Sequence, residues 1–152
     1  MSVSILLIPA ALILAEVISK DELKEMSQNK QSLSTIRTTF KDMDILKDAL
    51  ECYGANIKSF NKNSLICNVE NIDMEFTKAA QNGIILSVKG KEENIDELHR
   101  HIKLIDEEYK YNMQEYTYSM LKEKLKENNK LTLESEQVME DDSIVLTLNI
   151  NE

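Results

Sequence analysis

The chain has 152 residues, 42% of them hydrophobic, which is the size of one domain and enough apolar mass for one core. Three Gly and one Pro exclude collagen, a Gly-rich phosphate loop and an extended disordered chain. With 18 Lys+Arg against 27 Asp+Glu the formal charge is −9, and no basic patch is segregated along the sequence, so nucleic acid is not an expected partner.

The chain opens on its strongest feature. Residues 2–15 hold no charge, and apolar residues from Val3 to Ile18 are interrupted only by Ser4, Pro9 and Glu16. The reading is a hydrophobic N-terminal helix over 1–18, about 25 Å long against a slab of ~30 Å. No basic stretch precedes it, as a signal peptide would require. Lys20, Lys24 and Lys30 follow it, so a spanning helix would leave a cytoplasmic body with the N-terminus outside. The competing reading buries the helix against other subunits. Either way Ile5, Leu6, Ile8, Leu12, Ile13 and Val17 are the expected membrane or subunit contacts.

Residues 19–32 read as a short polar helix and linker, opened by the capping-box spacing of Ser19 and Glu22. A single α+β domain is expected over 33–152. Ser34 to Phe40 is β-branched and alternating, a first strand. Asp42 then caps a helix whose Met43, Leu46, Leu50 and Tyr53 form one stripe, and Gly54 supplies the left-handed stop. Strands follow at 55–60, 64–69 and 84–88. Residues 72–80 are ambiguous, with Met74 and Phe76 alternating as in a strand and Asn82-Gly83 offering a hairpin turn.

From Asn94, a second cap, the period changes. Ile95, Leu98, Ile102, Ile105 and Tyr109 predict a helix whose stripe continues through Met113, Tyr116 and Met120 to about 127, whole or broken near Glu107. Residues 131–139 and 143–150 then form a hairpin with Asp141-Asp142 at its tip. This order implies an α+β fold, an antiparallel sheet with helices packed on one face.

Charge and chemistry can now be placed on these elements. Residues 19–90 carry ten basic and ten acidic groups, whereas 91–152 carry eight basic and sixteen acidic. Glu134, Glu136, Glu140, Asp141 and Asp142 are the densest acidic stretch, a solubilising rim or a face for a cationic partner. Tyr109, Tyr111, Tyr116 and Tyr118 share the last helix, and Tyr111, facing outward, would serve as an anchor for a protein partner. Cys52 and Cys67 lack zinc or disulfide spacing and read as small core residues in a reducing compartment. His99 and His101, two apart on a helix, point in different directions and read as surface residues, so no metal is expected. No serine-hydrolase, Walker, dinucleotide or HExxH motif occurs.

Five dispersed pieces also carry a resemblance: Ser34-Thr35-Ile36-Arg37-Thr38; Lys41-Asp42 with Leu46, Ala49-Leu50 and Gly54; Asp73-Met74-Glu75-Phe76; Tyr116-Thr117-Tyr118; and Glu140-Asp141-Asp142-Ser143-Ile144. Over residues 33–150 the chain resembles a family of uncharacterised conserved proteins of red-algal plastids, cyanobacteria and other bacteria. That family has Asp-Gly at the last hairpin, where this chain has Asp141-Asp142. The resemblance implies no activity and no catalytic residues.

The expectation is therefore a non-catalytic interaction or assembly module without cofactor, tethered to a membrane or to other subunits by its N-terminus, with Tyr111, Glu134, Glu136, Asp141 and Asp142 facing a protein partner. The alternative is a small enzyme or a cofactor- or metal-binding domain in which Cys52, Cys67, His99 or His101 line a pocket.

Overall fold

The computed structural model describes residues 1–7, 34–80, 83–89 and 95–151. In chain order the elements are β1 (Ser2–Leu7), β2 (Ser34–Arg37), α1 (Met43–Tyr53), β3 (Asn56–Phe60), β4 (Ser64–Val69), β5 (Ile72–Lys78), β6 (Ile84–Lys89), α2 (Ile95–Glu127), β7 (Leu131–Val138) and β8 (Ile144–Ile150). They form two compact units, one over Ala15–Tyr109 and one over Met1–Leu14 with Lys110–Glu152.

The first unit is a five-stranded antiparallel sheet in the order β2-β6-β5-β4-β3. Three tight meander connections explain β3 to β6, since alternating strands joined by short turns pair with their sequence neighbours. Alternation decides the faces. Leu65, Phe76 and Leu86 stand opposite one another across β4, β5 and β6, as do Cys67, Met74 and Val88, and all six are buried. The intervening Ser64, Ile66, Asn68, Glu75, Ile85 and Ser87 are only half-buried, so one face carries the core and the other meets water. The ambiguous 72–80 stretch is thus strand β5.

Helix α1 packs by β3 and β4 with Leu46, Ala49 and Leu50 wholly buried. Its ends follow local chemistry. The Asp42 carboxylate accepts from the backbone N–H of Asp44 at 2.9 Å and of Ile45 at 3.0 Å, satisfying two donors that the first turn leaves open. Gly54 ends the helix with φ 91, a conformation that costs glycine little. Asp42→Ala is expected to lower stability by about 1 kcal/mol, read as a shifted urea midpoint with an unchanged slope.

Leu98, Ile102, Ile105 and Tyr109 of α2 are buried at the predicted spacing. Past Tyr109 the predicted stripe fails: Tyr116 and Met120 are exposed, while Gln114 is buried and Tyr118, Leu121 and Leu125 are half-buried. Tyr116 lies one heptad past Tyr109 and only about 20° from it around the helix, so drift does not account for the change; beyond Tyr109 the covered face is the one that carries Gln114, on the far side from Tyr116.

The second unit is a three-stranded antiparallel sheet, β1-β8-β7. The β7–β8 hairpin arises as predicted, and its turn holds Asp142 at φ 62, in the left-handed region that Asp enters more readily than most residues. Two expectations are corrected here. The hairpin joins a second sheet instead of extending the first. And the N-terminus is not a helix: Val3, Ile5 and Leu7 stand opposite Leu148, Leu146 and Ile144 of β8, an alternating match that satisfies the backbone in a ladder. An uncharged run of this length does not by itself distinguish strand from helix. The remainder of the predicted 1–18 helix, residues 8–18, with the polar helix and linker of 19–32, the Asn94 cap and Asn82, lies outside the described residues.

Candidate functional site

Of the expected N-terminal contacts, Ile5 and Leu6 belong to β1, and Ile8, Leu12, Ile13 and Val17 lie outside the described residues. Among the described residues, strand β1 is one edge of its sheet and β7 is the other. The backbone N–H of Ile150 donates to the Met1 carbonyl at 2.8 Å, so odd-numbered residues of this segment face β8 with their polar backbone. By alternation, Ser2, Ser4 and Leu6 aim their N–H and C=O groups at the outer edge. Val3 and Leu6 are 43% and 51% exposed, on opposite faces of the strand. The edge at β7 differs. It carries Glu134 and Glu136, and its register with β8 shifts between Leu133 and Ser135, a bulge that interrupts the ladder.

The acidic candidates are engaged within their own unit. Glu134 accepts from the Ser2 hydroxyl at 3.0 Å, and Asp141 accepts from the Ser143 backbone N–H at 3.1 Å. Tyr111, 47% exposed, donates its hydroxyl to Asp142 at 3.0 Å. Glu136 accepts from the Tyr118 hydroxyl at 2.5 Å and from Lys122 Nζ at 3.2 Å, and that ammonium also lies 4.6 Å over the Tyr118 ring. The Tyr118 hydrogen bond, and after it that of Lys122, holds the Glu136 carboxyl below its ordinary range. This tie is therefore complete at neutral pH and is lost only as pH falls through the lowered value. Gln114, buried, donates from Nε2 to the Leu7 carbonyl at 3.0 Å and the Asp142 carbonyl at 2.9 Å. One side chain of α2 thereby holds the end of β1 and the tip of the hairpin together.

In the first unit the structure assembles a group that the sequence reading missed. His101 is 2% exposed, not a surface residue. Its Nδ1 lies 2.6 Å from the Tyr53 hydroxyl, at the end of α1, with the two rings edge to face at 5.8 Å. Its Nε2 lies 3.6 Å from a Glu70 carboxylate oxygen and 4.0 Å from one of Glu97. Glu97 and His101 share a face because they are one turn apart on α2. Glu70 arrives from the two-residue turn between β4 and β5, at φ 52. His99 plays no part in this group. The spacing Glu97-x-x-x-His101 was visible in the sequence, whereas the third member came from a turn in a distant part of the chain.

The cysteines separate. Cys67 is fully buried on the inner sheet face, and burial pushes its thiol up to about 12, so it is a packing residue. Cys52 is exposed at the end of α1, contrary to the core reading.

No family model, curated protein or solved structure matches the chain.

Proposed function

We propose that the protein is a non-catalytic assembly module whose N-terminal strand joins it to a second copy of itself. The observation that carries this reading is the asymmetry of the β1-β8-β7 sheet: one edge is charged and bulged, while the other is Ser2-Val3-Ser4-Ile5-Leu6-Leu7, without charge, Pro or Gly. Proteins that keep their sheets apart blunt both edges; an unblunted edge is a template for strand addition.

The strand is suited to its own copy. Antiparallel pairing about a two-fold axis at Ser4 sets Ser2 opposite Leu6 and Val3 opposite Ile5 of the second chain, with outward-facing backbone groups in register. No charge opposes another, although each chain carries −9 overall. The membrane-anchored form of the reading has weaker support. Among the described residues no helix is long and apolar enough to cross a membrane.

Ser4→Pro tests the proposal selectively. The Ser4 N–H points away from β8, so proline there removes an outer donor and leaves the existing ladder intact. Light scattering on the full chain should give twice the 17.5 kDa chain mass, and Ser4→Pro should give the single-chain mass. A wild-type monomer, a variant that stays dimeric, or flotation of wild-type monomers with lipid vesicles would overturn it.

A further inference from the structure

We infer that Glu70, Glu97 and His101 form a binding site for one divalent first-row transition ion, of the zinc or manganese class, supported from behind by Tyr53. The site lies within the first unit and is independent of the strand-pairing reading.

Three observations converge. The His101 Nε2 atom is buried and has no hydrogen-bond partner, although an unsatisfied buried nitrogen costs about 1–3 kcal/mol. It points between two carboxylates, and the three candidate ligand atoms lie within 4.8 Å of one another. Bonds of ~2.1 Å in a tetrahedral site separate its ligand atoms by about 3.4 Å, so the 3.6 and 4.0 Å contacts of His101 close by a few tenths of an ångström around an ion, and the two carboxylates, within 4.8 Å, swing in on their solvent-facing side chains.

The surroundings fit a metal-bound imidazole. A ligating histidine donates its other ring N–H to a fixed acceptor, which sets the tautomer and leaves the ligating nitrogen its lone pair. The Tyr53 hydroxyl, 2.6 Å from Nδ1, is placed to be that acceptor. Among the described residues Arg100 is the cation beside Glu97, its Nη2 3.9 Å from that carboxylate, too far for a hydrogen bond.

The donor set selects the ion. One imidazole nitrogen with two carboxylate oxygens suits zinc, manganese or ferrous iron, whereas calcium and magnesium take oxygen alone. Glu70 and Glu97 have side chains 56% and 41% exposed, so an ion enters from solvent and completes its coordination with water.

The test uses the full chain with Cys52→Ser, which removes the exposed thiol as a competing ligand, and Zn²⁺ or Mn²⁺ as the probe. Titration calorimetry should find one ion per chain. Glu70→Gln and Glu97→Gln, isosteric changes at an exposed and a half-buried side chain, should each weaken binding at least tenfold, and Tyr53→Phe about tenfold, with urea unfolding of the metal-free variants unchanged. Zn²⁺ should shift the ¹⁵N resonance of His101 Nε2 far more than that of His99, and Ca²⁺ should not compete. Absence of stoichiometric binding, wild-type affinity in the two Gln variants, or an unmoved His101 resonance would overturn the assignment.

Discussion

Phe40→Ala should destabilise the first unit by about 3–5 kcal/mol, read by urea unfolding of the full chain, the largest effect expected of any single substitution here. Phe40, in the connection between β2 and α1, is 1% exposed and joins two elements. Its ring meets Phe76 of β5 edge-on at 6.2 Å and Tyr109 of α2 at 4.8 Å. The Tyr109 hydroxyl in turn accepts from the backbone N–H groups of Lys41 and Asp42, at 3.2 and 3.1 Å. Truncation therefore opens a cavity and also frees the ring whose hydroxyl fixes the entry to α1. Tyr109→Phe separates the contributions: it keeps the packing and removes the acceptor, so a loss of only about 1 kcal/mol is expected. A Phe40→Ala loss below about 1.5 kcal/mol would show that the surrounding core collapses into the space.

Gln114→Glu should cost about 2–3 kcal/mol in the second unit, because a near-isosteric change converts a buried donor into an acceptor facing two carbonyls. Gln114 ties Leu7 at the end of β1 and Asp142 at the hairpin tip, so the effect should be local as well as global. Amide exchange should rise in β1 and in the turn around Asp142 before it rises in the five-stranded sheet. The penalty has a defined pH dependence. The folded state favours the protonated form of the introduced carboxyl, which can donate again, so its folded pKa is raised. The deficit is therefore small below the ordinary glutamate value of about 4 and grows as pH rises above it. An equal loss at all pH values would mean that the side chain rotates out to water. If strand pairing through β1 is correct, the loosened β1 should also weaken self-association at neutral pH.

Local signals were legible wherever a short stretch carries its own reason. Asp42 and Gly54 bracket α1 because one side chain can cap and one residue can turn left-handed. The strict alternation of Ile144, Leu146 and Leu148 marked β8, and the change of period after Asn94 marked helix over 95–127 but left a break near Glu107 open, where the structure has the single helix α2. Where the signal was ambiguous, the partner decided. Residues 2–7 are greasy enough for helix or strand, and pairing with β8, at the other end of the chain, makes them a strand. The helix stripe beyond Tyr109 was extrapolated from spacing, and the actual buried side is set by what packs on it, with Gln114 inside and Tyr116 outside.

The candidate sites divide in the same way. Composition and patterning alone determined an acidic α+β chain of antiparallel strands, the two ends of α1, and an uncharged N-terminus. Only the tertiary structure decided that this N-terminus is a sheet edge, that the acidic hairpin residues are tied within their own unit, and that His101 is buried between Tyr53, Glu70 and Glu97. The reason is the range of the forces. Caps, turns and periodicity act over a few residues and are written where they act, whereas a ligand cluster or a strand pair joins residues whose separation along the chain carries no information about their distance in space.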